Sequence, residues 1–170
     1  MHLDTERLYL RPMTMRDVDD LVALHADPEV SRYMRAFDRE EAVERLRRDD
    51  ADWREYGHGL FAVLANDGSG FLGRVALKYW PQFDEAELGW VLRREAWGHG
   101  YATEAARACA AWGFAQFDYP YLTAMIRAEN ARSVTVAERL GMTPLREDVL
   151  FDVPVLVHAV SRDKFSHSAS

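Results

Sequence analysis

Cysteine occurs once in the 170 residues, at Cys109, which excludes an internal disulfide framework and fits a reducing compartment. Its neighbours are alanines in an expected long helix, so Cys109 reads as a packing residue and not as a nucleophile. No apolar run is long enough to cross a bilayer, and Asp4, Glu6 and Arg7 interrupt any signal-peptide core near the start. The expectation is a cytoplasmic protein without a membrane partner. Basic residues are in the minority, 21 Lys and Arg against 28 Asp and Glu, giving a net charge of −7. A nucleic-acid surface would need a basic stripe, so none is expected. The six histidines show no metal spacing and the lone cysteine completes no cluster, so no metal is expected either. Surplus acid suits a cationic substrate such as an amine, and equally suits plain solubility.

Internal repeats are also missing, and only Ser166-His167-Ser168-Ala169-Ser170 looks like a frayed tail. One domain over residues 1–165 with a disordered tail over 166–170 is expected, long enough to bury roughly 70% of its unfolded surface. Arg7 to Pro12 alternates as a strand, and Thr14 followed by Asp17 resembles a capping box opening a helix. Asp38 to Trp53 reads as a second helix with a broad solvated face. Strands follow over 60–65, 71–80 and 86–92, the first two joined by the turn signal Asn66-Asp67-Gly68-Ser69-Gly70. A helix rich in alanine over 101–117, a strand over 122–126, a helix over 131–140 stopped by Gly141, and one or two strands over 142–162 complete the chain. This order predicts an α/β protein with a mixed sheet and helices on both faces.

The most informative stretch runs from Glu87 to Ala105. It reads as a buried strand, a turn carrying Gly98 and Gly100, and then a helix. The first amides of a helix lack partners within it, and the dipole adds positive charge there. Bare backbone at such a place holds a phosphate or pyrophosphate without a lysine. No Gly-Lys-Ser/Thr follows and the third glycine of a dinucleotide fingerprint is missing. Taken alone, the two glycines fit a tight packing turn just as well.

The flanks point further. Thr5-Glu6-Arg7-Leu8-Tyr9-Leu10-Arg11-Pro12, Asp27-Pro28-Glu29-Val30, Glu87-Leu88-Gly89-Trp90, Trp97-Gly98-His99-Gly100-Tyr101-Ala102-Thr103-Glu104-Ala105, Asn130-Ala131-Arg132-Ser133 and Leu140-Gly141-Met142 together resemble the GNAT superfamily of N-acetyltransferases. Within it they resemble the RimJ/RimL-like branch, which acetylates ribosomal-protein N-termini. The resemblance covers nearly the whole chain. It implies the acyl-CoA N-acyltransferase fold, acetyl-CoA as donor, and a V-shaped opening between splayed parallel strands, here 88–92 and 122–126, with Trp90, Val91 and Leu92 along the cofactor arm. The family's pyrophosphate loop maps onto Trp97, Gly100 and Ala102. Trp97 replaces the usual polar first residue, which leaves the amides of Gly98, His99, Gly100, Tyr101, Ala102 and Thr103 as phosphate contacts. Arg93 and Arg94 would add charge nearby.

The same resemblance gives Asn130 a contact to the cofactor arm, beside its plain reading as a helix N-cap. It gives Ser133 the task of protonating the departing thiolate, beside a structural reading in a first helical turn. The tyrosine many members use as acid is absent from Val136-Ala137-Glu138-Arg139. Transfer to an amine needs a neutral nucleophile, and an α-amine near pKa ~8 is partly neutral at pH 7. Glu87 is the first candidate base, with Asp84 and Glu85 behind it, each also readable as a solvated acid. Gly89 inside a strand predicts a bulge that would free the N–H groups of Trp90 or Val91 for an oxyanion. Arg32, Tyr33, Trp53, His58, Tyr79 and Trp80 are candidate acceptor contacts, with core packing as the competing reading of the aromatics. His25 reads as a satisfied, partly buried histidine.

The expected reaction is acetyl transfer to an α-amino group of a protein or peptide. A polyamine, amino acid or aminoglycoside acceptor, or a CoA-binding module without turnover, are the alternatives. The chain is expected to be a monomer or homodimer, since apolar C-terminal strands could pair with a second copy.

Overall fold

A computed structural model describes residues 1–168. Its centre is one eight-stranded sheet in the order β1-β2-β3-β4-β5-β6-β8-β7. The strands are β1 (Leu3–Asp4), β2 (Leu8–Pro12), β3 (Leu60–Ala65), β4 (Gly70–Trp80), β5 (Glu85–Leu92), β6 (Tyr121–Ile126), β7 (Thr143–Leu150) and β8 (Val153–Ser161). The helices are α1 (Val18–Ala26), α2 (Arg39–Tyr56), α3 (Tyr101–Gln116), α4 (Ala131–Arg139) and α5 (Arg162–Ser168). All neighbouring strands run antiparallel except β5 and β6. The mixed sheet with helices on both faces is as expected from the sequence. The two-residue β1 and the helix α5 were not anticipated. α5 carries order through Ser168, into the segment expected to fray, while Ala169 and Ser170 lie outside the described residues.

Local signals set most boundaries. Thr14 and Asp17 form a full capping box, but a short 3-10 turn over Met15–Asp17 intervenes before α1. Asp38 and Glu41 form a second box at the start of α2, and Gly57 at φ +77° ends it. Side-chain alternation then divides the sheet between two cores. Leu8, Leu10, Phe61, Val63, Val75, Leu77, Leu88 and Leu92 face α3, whose Ala105, Ala106, Cys109 and Ala110 are fully buried. A methyl group on Gly113 would come within 2.9 Å of Leu77, so the small residues of α3 let it lie directly on the sheet. Burial pushes the Cys109 thiol far above its ordinary range, in keeping with its packing role. On the opposite face, Leu60, Ala62, Ala76 and Val91 pack against Leu21 and Leu24 of α1 and Ala42 and Leu46 of α2.

The sheet comes apart at one place. β4 and β5 share eight aligned pairs, from Gly73↔Leu92 to Trp80↔Glu85, whereas β5 and β6 share only Glu87↔Thr123. The β4–β5 register is unbroken at Gly89, so the expected bulge is absent there. Register shifts lie instead between Val63 and Leu64, opposite Gly73, and between Pro144 and Arg146 in β7. Among the described residues no helix is long and apolar enough to cross a membrane.

Candidate active site

Ladder geometry decides which backbone groups the parting strands leave bare. Arg93 N–H donates to Leu72 C=O at 2.8 Å, and pairing is regular along the rest of β5. Odd-numbered residues of β5 therefore turn their N–H and C=O groups toward β4, and even-numbered ones toward β6. Beyond the single bridge at Glu87↔Thr123, β6 has diverged and no longer meets Trp90 or Leu92. The Leu92 carbonyl accepts the Trp97 indole N–H at 3.0 Å. The Trp90 amide points into the opening. Val91 differs: its amide belongs to the β4 ladder, and it lines the opening with its side chain alone.

A cleft of about 1520 Å³ follows from this divergence. Glu87, Trp90, Val91, Asn130 and Ser133 border it, as do Tyr33 and Trp80. Glu87 sits where the strands part. Its Oε2 accepts the Trp80 indole N–H at 2.6 Å and its Oε1 accepts the Met125 amide at 3.4 Å. Burial raises the Glu87 carboxyl above its ordinary value, against those two hydrogen bonds and the charges of Lys78 and Arg74, which lower it. Such a carboxylate is a stronger base than a solvated one. The two other candidate bases are committed elsewhere. Glu85, 5% exposed, forms a bidentate pair with Arg146 at 2.7 and 2.8 Å and accepts from Tyr121. Asp84 accepts from the Tyr79 hydroxyl at 2.6 Å in a loop at φ +52°.

Asn130 caps α4, its Oδ1 accepting the Ser133 amide at 3.3 Å, so the capping role is real and sets Ser133 in the first turn beside the cleft. The glycine turn is equally well defined. Gly98 and Gly100 have φ of +78° and +79°, and α3 begins at Tyr101 with no side chain capping its first amides. A methyl group at Gly98 would meet nothing within 4 Å. The Thr103 hydroxyl is buried beside these amides without a protein partner. Bare amides, open space above glycine and an orphaned hydroxyl fit a phosphate-bearing group.

What holds this loop was not foreseen. Arg7 donates to Glu104 Oε2 at 2.7 Å and to the His99 carbonyl at 2.9 Å, and stacks on Tyr101. Glu104 also takes the Arg7 amide and the Thr5 hydroxyl, so the bend between β1 and β2 straps the loop in place. Both ends of the strap lie within the quoted family motifs, but a pairing across 97 residues leaves no local trace. Trp97 braces the turn through Leu92 and carries the Arg132 guanidinium 4.0 Å above its ring. Arg93 is occupied by Asp20, which leaves Arg94 on the surface as the free charge of that pair.

The expected acceptor contacts divide. Tyr33 donates to the Glu129 carbonyl at the cleft edge, and Trp80 holds Glu87. Trp53 does not reach the cleft, because its ring packs between Phe61 and Trp112 in the α3-side core. Tyr79 lies on the same far face, against Tyr56. His58 is buried there too, bound to the Leu77 carbonyl and Tyr119 hydroxyl at 2.9 and 2.8 Å. Arg32 sits outside the lining, over Tyr33 and near Glu29. His25 is buried and borders the cleft, but its Nδ1 has no partner, so it is not satisfied as expected. Burial and the nearby Arg74 and Arg45 push it down to about 3, keeping it neutral. Among the described residues no three metal-binding side chains gather.

Missed altogether was a set of charges on the α1–α2 side, Asp49 and Arg74 buried, Arg45 and Lys78 half-buried. Arg74 and Lys78 alternate with Val75 and Leu77 along β4, a pattern that reads as a solvent-facing edge until α2 covers it.

Comparison with known proteins agrees with this geometry. The pattern of the acetyltransferase (GNAT) domain matches residues 7–143. The uncharacterized Bacillus subtilis protein YkkB is 33% identical over 166 residues, 92% of this chain and 93% of the relative. The crystal structure of an acetyltransferase from Agrobacterium tumefaciens superposes with a TM-score of 0.85 at 32% identity, covering 95% of both chains. A RimL ribosomal L7/L12 α-N-protein acetyltransferase in complex with coenzyme A and FdhC, a nucleotide-linked sugar GNAT, superpose with TM-scores of 0.81 and 0.80. Both are 16% identical, so they share the fold and do not single out a branch. The splayed strands and the amide-lined turn thus stand in a chain that belongs to the GNAT acetyltransferases and is an acetyl-CoA-dependent N-acetyltransferase.

Proposed function

We propose that this enzyme acetylates the α-amino group of a protein or peptide in the cytoplasm, as the RimJ/RimL-like sequence resemblance suggests. The observation that carries the reading is Glu87, held by Trp80 at the point where β5 and β6 part and open to a large cleft. Acetyl-CoA supplies the thioester. The amides at 99–103 would hold its diphosphate, and the bare ladder edge at Trp90, with the amide of Leu92, would receive its arm as a missing strand would be received. Glu87 takes the proton of the incoming amine, directly or through a water. Trp90 N–H is aimed to stabilise negative charge developing on the acyl oxygen. The hydroxyl of Ser133, whose backbone amide the Asn130 cap holds, relays a proton from water to the departing sulfur. A thiol near pKa ~8.5 leaves readily, so this last step needs only a weak acid.

An α-amine suits this site better than a lysine side chain, since ~8 against ~10.4 leaves far more neutral nucleophile at pH 7. The test is thiol release from acetyl-CoA with peptides starting in Ala or Ser, beside polyamines, followed by mass measurement of the peptide. Acetylation at the peptide N-terminus supports the reading, and preference for polyamines replaces it. Tight cofactor binding with no acceptor-dependent thiol would show a binding module instead.

A further inference from the structure

The acceptor half of the cleft is lined by cations that make no direct ion pair among the described residues, with Glu87, Asp49 and Asp52 as the opposite charges around them. Arg74 is 8% exposed, and its one hydrogen bond among the described residues is a 3.4 Å contact from Nε to the neutral His25 ring. Arg45 buries its Nε with no hydrogen-bond partner among the described residues. Lys78 rests its ammonium 4.1 Å above the Trp80 ring, and among the described residues none of the three forms an ion pair. Asp49 does not compensate: one oxygen accepts the Leu60 amide, the other has no partner, and burial pushes the acid up to about 7. Burial, and then the nearby Arg45, push Arg74 down to about 9, against the charges of Glu87 and Asp49. Unpaired buried charge is costly, and a chain carrying it without a direct ion pair is built to meet an opposite charge from outside.

The floor between these groups is empty. Ala76 and Gly89 face each other across β4 and β5, with Lys78 and Glu87 on one side and Arg74 and Val91 on the other. A methyl group on Gly89 would touch nothing within 4 Å. Alternate residues of a strand lie ~7 Å apart, so Arg74 sits about that far beyond the floor from the base's end.

Resting on the acetyl-transfer reading, we infer that the acceptor is an amine whose own residue carries a carboxylate or other oxyanion. The two-step span of about 13 Å between the strand levels of Glu87 and Arg74 is bridged jointly by the acceptor and the long arginine side chains that line the same cleft. The amine meets Glu87, and the anion crosses Gly89 to the guanidinium groups of Arg74 and Arg45. Two sources share that chemistry, the side chain of an acidic N-terminal residue and the carboxylate of a free α-amino acid.

The experiment compares thiol release with peptides starting in Glu or Gln, with free glutamate or glutamine α-amide, and with an Ala-starting peptide, using wild type, Arg74→Met and Arg45→Gln. A charge-assisted hydrogen bond is worth about 10- to 100-fold. Anionic acceptors should be preferred by at least that much in kcat/KM. Arg74→Met should erase the preference, read as the ratio of anionic to neutral acceptors within each enzyme, because losing Arg74 also shifts Glu87 for every acceptor alike. Which anionic acceptor responds identifies the source. Independently of turnover, N-acetylglutamate should bind the enzyme–CoA complex at least tenfold more tightly than N-acetylglutamine in calorimetry, and equally in Arg74→Met. Equal use or binding of charged and neutral probes by wild type overturns the inference. Absence of turnover with every amine, alongside selective N-acetylglutamate binding, would instead sink the transfer reading and leave the anion site standing.

Discussion

Replacing Glu87 by Gln tests the chemistry at its centre. The amide keeps an oxygen that can accept from Trp80 Nε1, so the surroundings of the side chain are preserved while its basicity is lost. A positioned general base contributes about 10²- to 10⁴-fold, so kcat should fall at least a hundredfold. The cofactor Kd by calorimetry should stay unchanged, since the phosphate-ready amides lie on α3. The pH profile sharpens the test. Because burial raises the Glu87 carboxyl, wild-type kcat/KM should be lost on acidification at a higher pH than an ordinary carboxylate would dictate. Trp80→Phe removes the 2.6 Å hydrogen bond that favours the charged form. A bond of that kind is worth about 1.5–3 kcal/mol, which moves the acid limb upward by about one to two pH units. The acceptor's own titration is common to all the enzymes, so differences among them report on Glu87. Undiminished turnover in Glu87→Gln, or an acid limb that ignores Trp80→Phe, would refute the assignment.

Further outcomes follow from other sites. Gly100→Ala places a side chain at φ +79°, costing about 1–2 kcal/mol, and should weaken coenzyme A binding up to about tenfold by calorimetry. Arg146→Met strands the buried Glu85 carboxylate and should cost about 3–5 kcal/mol in chemical denaturation, much of it recovered when Glu85→Gln is added. Asp49 has a folded pKa of about 7 against an ordinary 3.8, so its folded form holds the proton more tightly between those values. Stability contributed by that proton is present below pH 3.8 and lost as pH rises to about 7. Asp49→Asn should therefore raise the Tm above neutrality and lose its advantage in acid. Cys109 should resist thiol reagents in the native protein and react on unfolding, as followed by absorbance.

Legibility in the sequence tracked the range of the interaction involved. The Thr14–Asp17 capping box, the turn over 66–70 and the periodicity of β3 and α3 are local, and the structure places them within a residue or two of expectation. The anion-ready helix start was legible for the same reason, since glycines and an uncapped helix are neighbours in sequence. The bulge at Gly89 was misread because a glycine in a strand can serve space as well as irregularity, and here it serves space. Trp53 and Tyr79 went to the wrong side because strand and helix faces are assigned only once both partners are known. Arg74 and Lys78 were passed over because nothing in β4 itself reports the helices packed on that face.

The Arg7–Glu104 strap has a bearing on how the molecule comes into being. Its two ends are separated by most of the polypeptide, so the turn they secure has no means of acquiring its shape from its own segment. Competence to capture a nucleotide should thus arrive late during refolding, coincident with closure of the whole β-architecture and not with the earlier growth of α3. Cofactor capture measured during refolding becomes a clock for the last step of chain assembly.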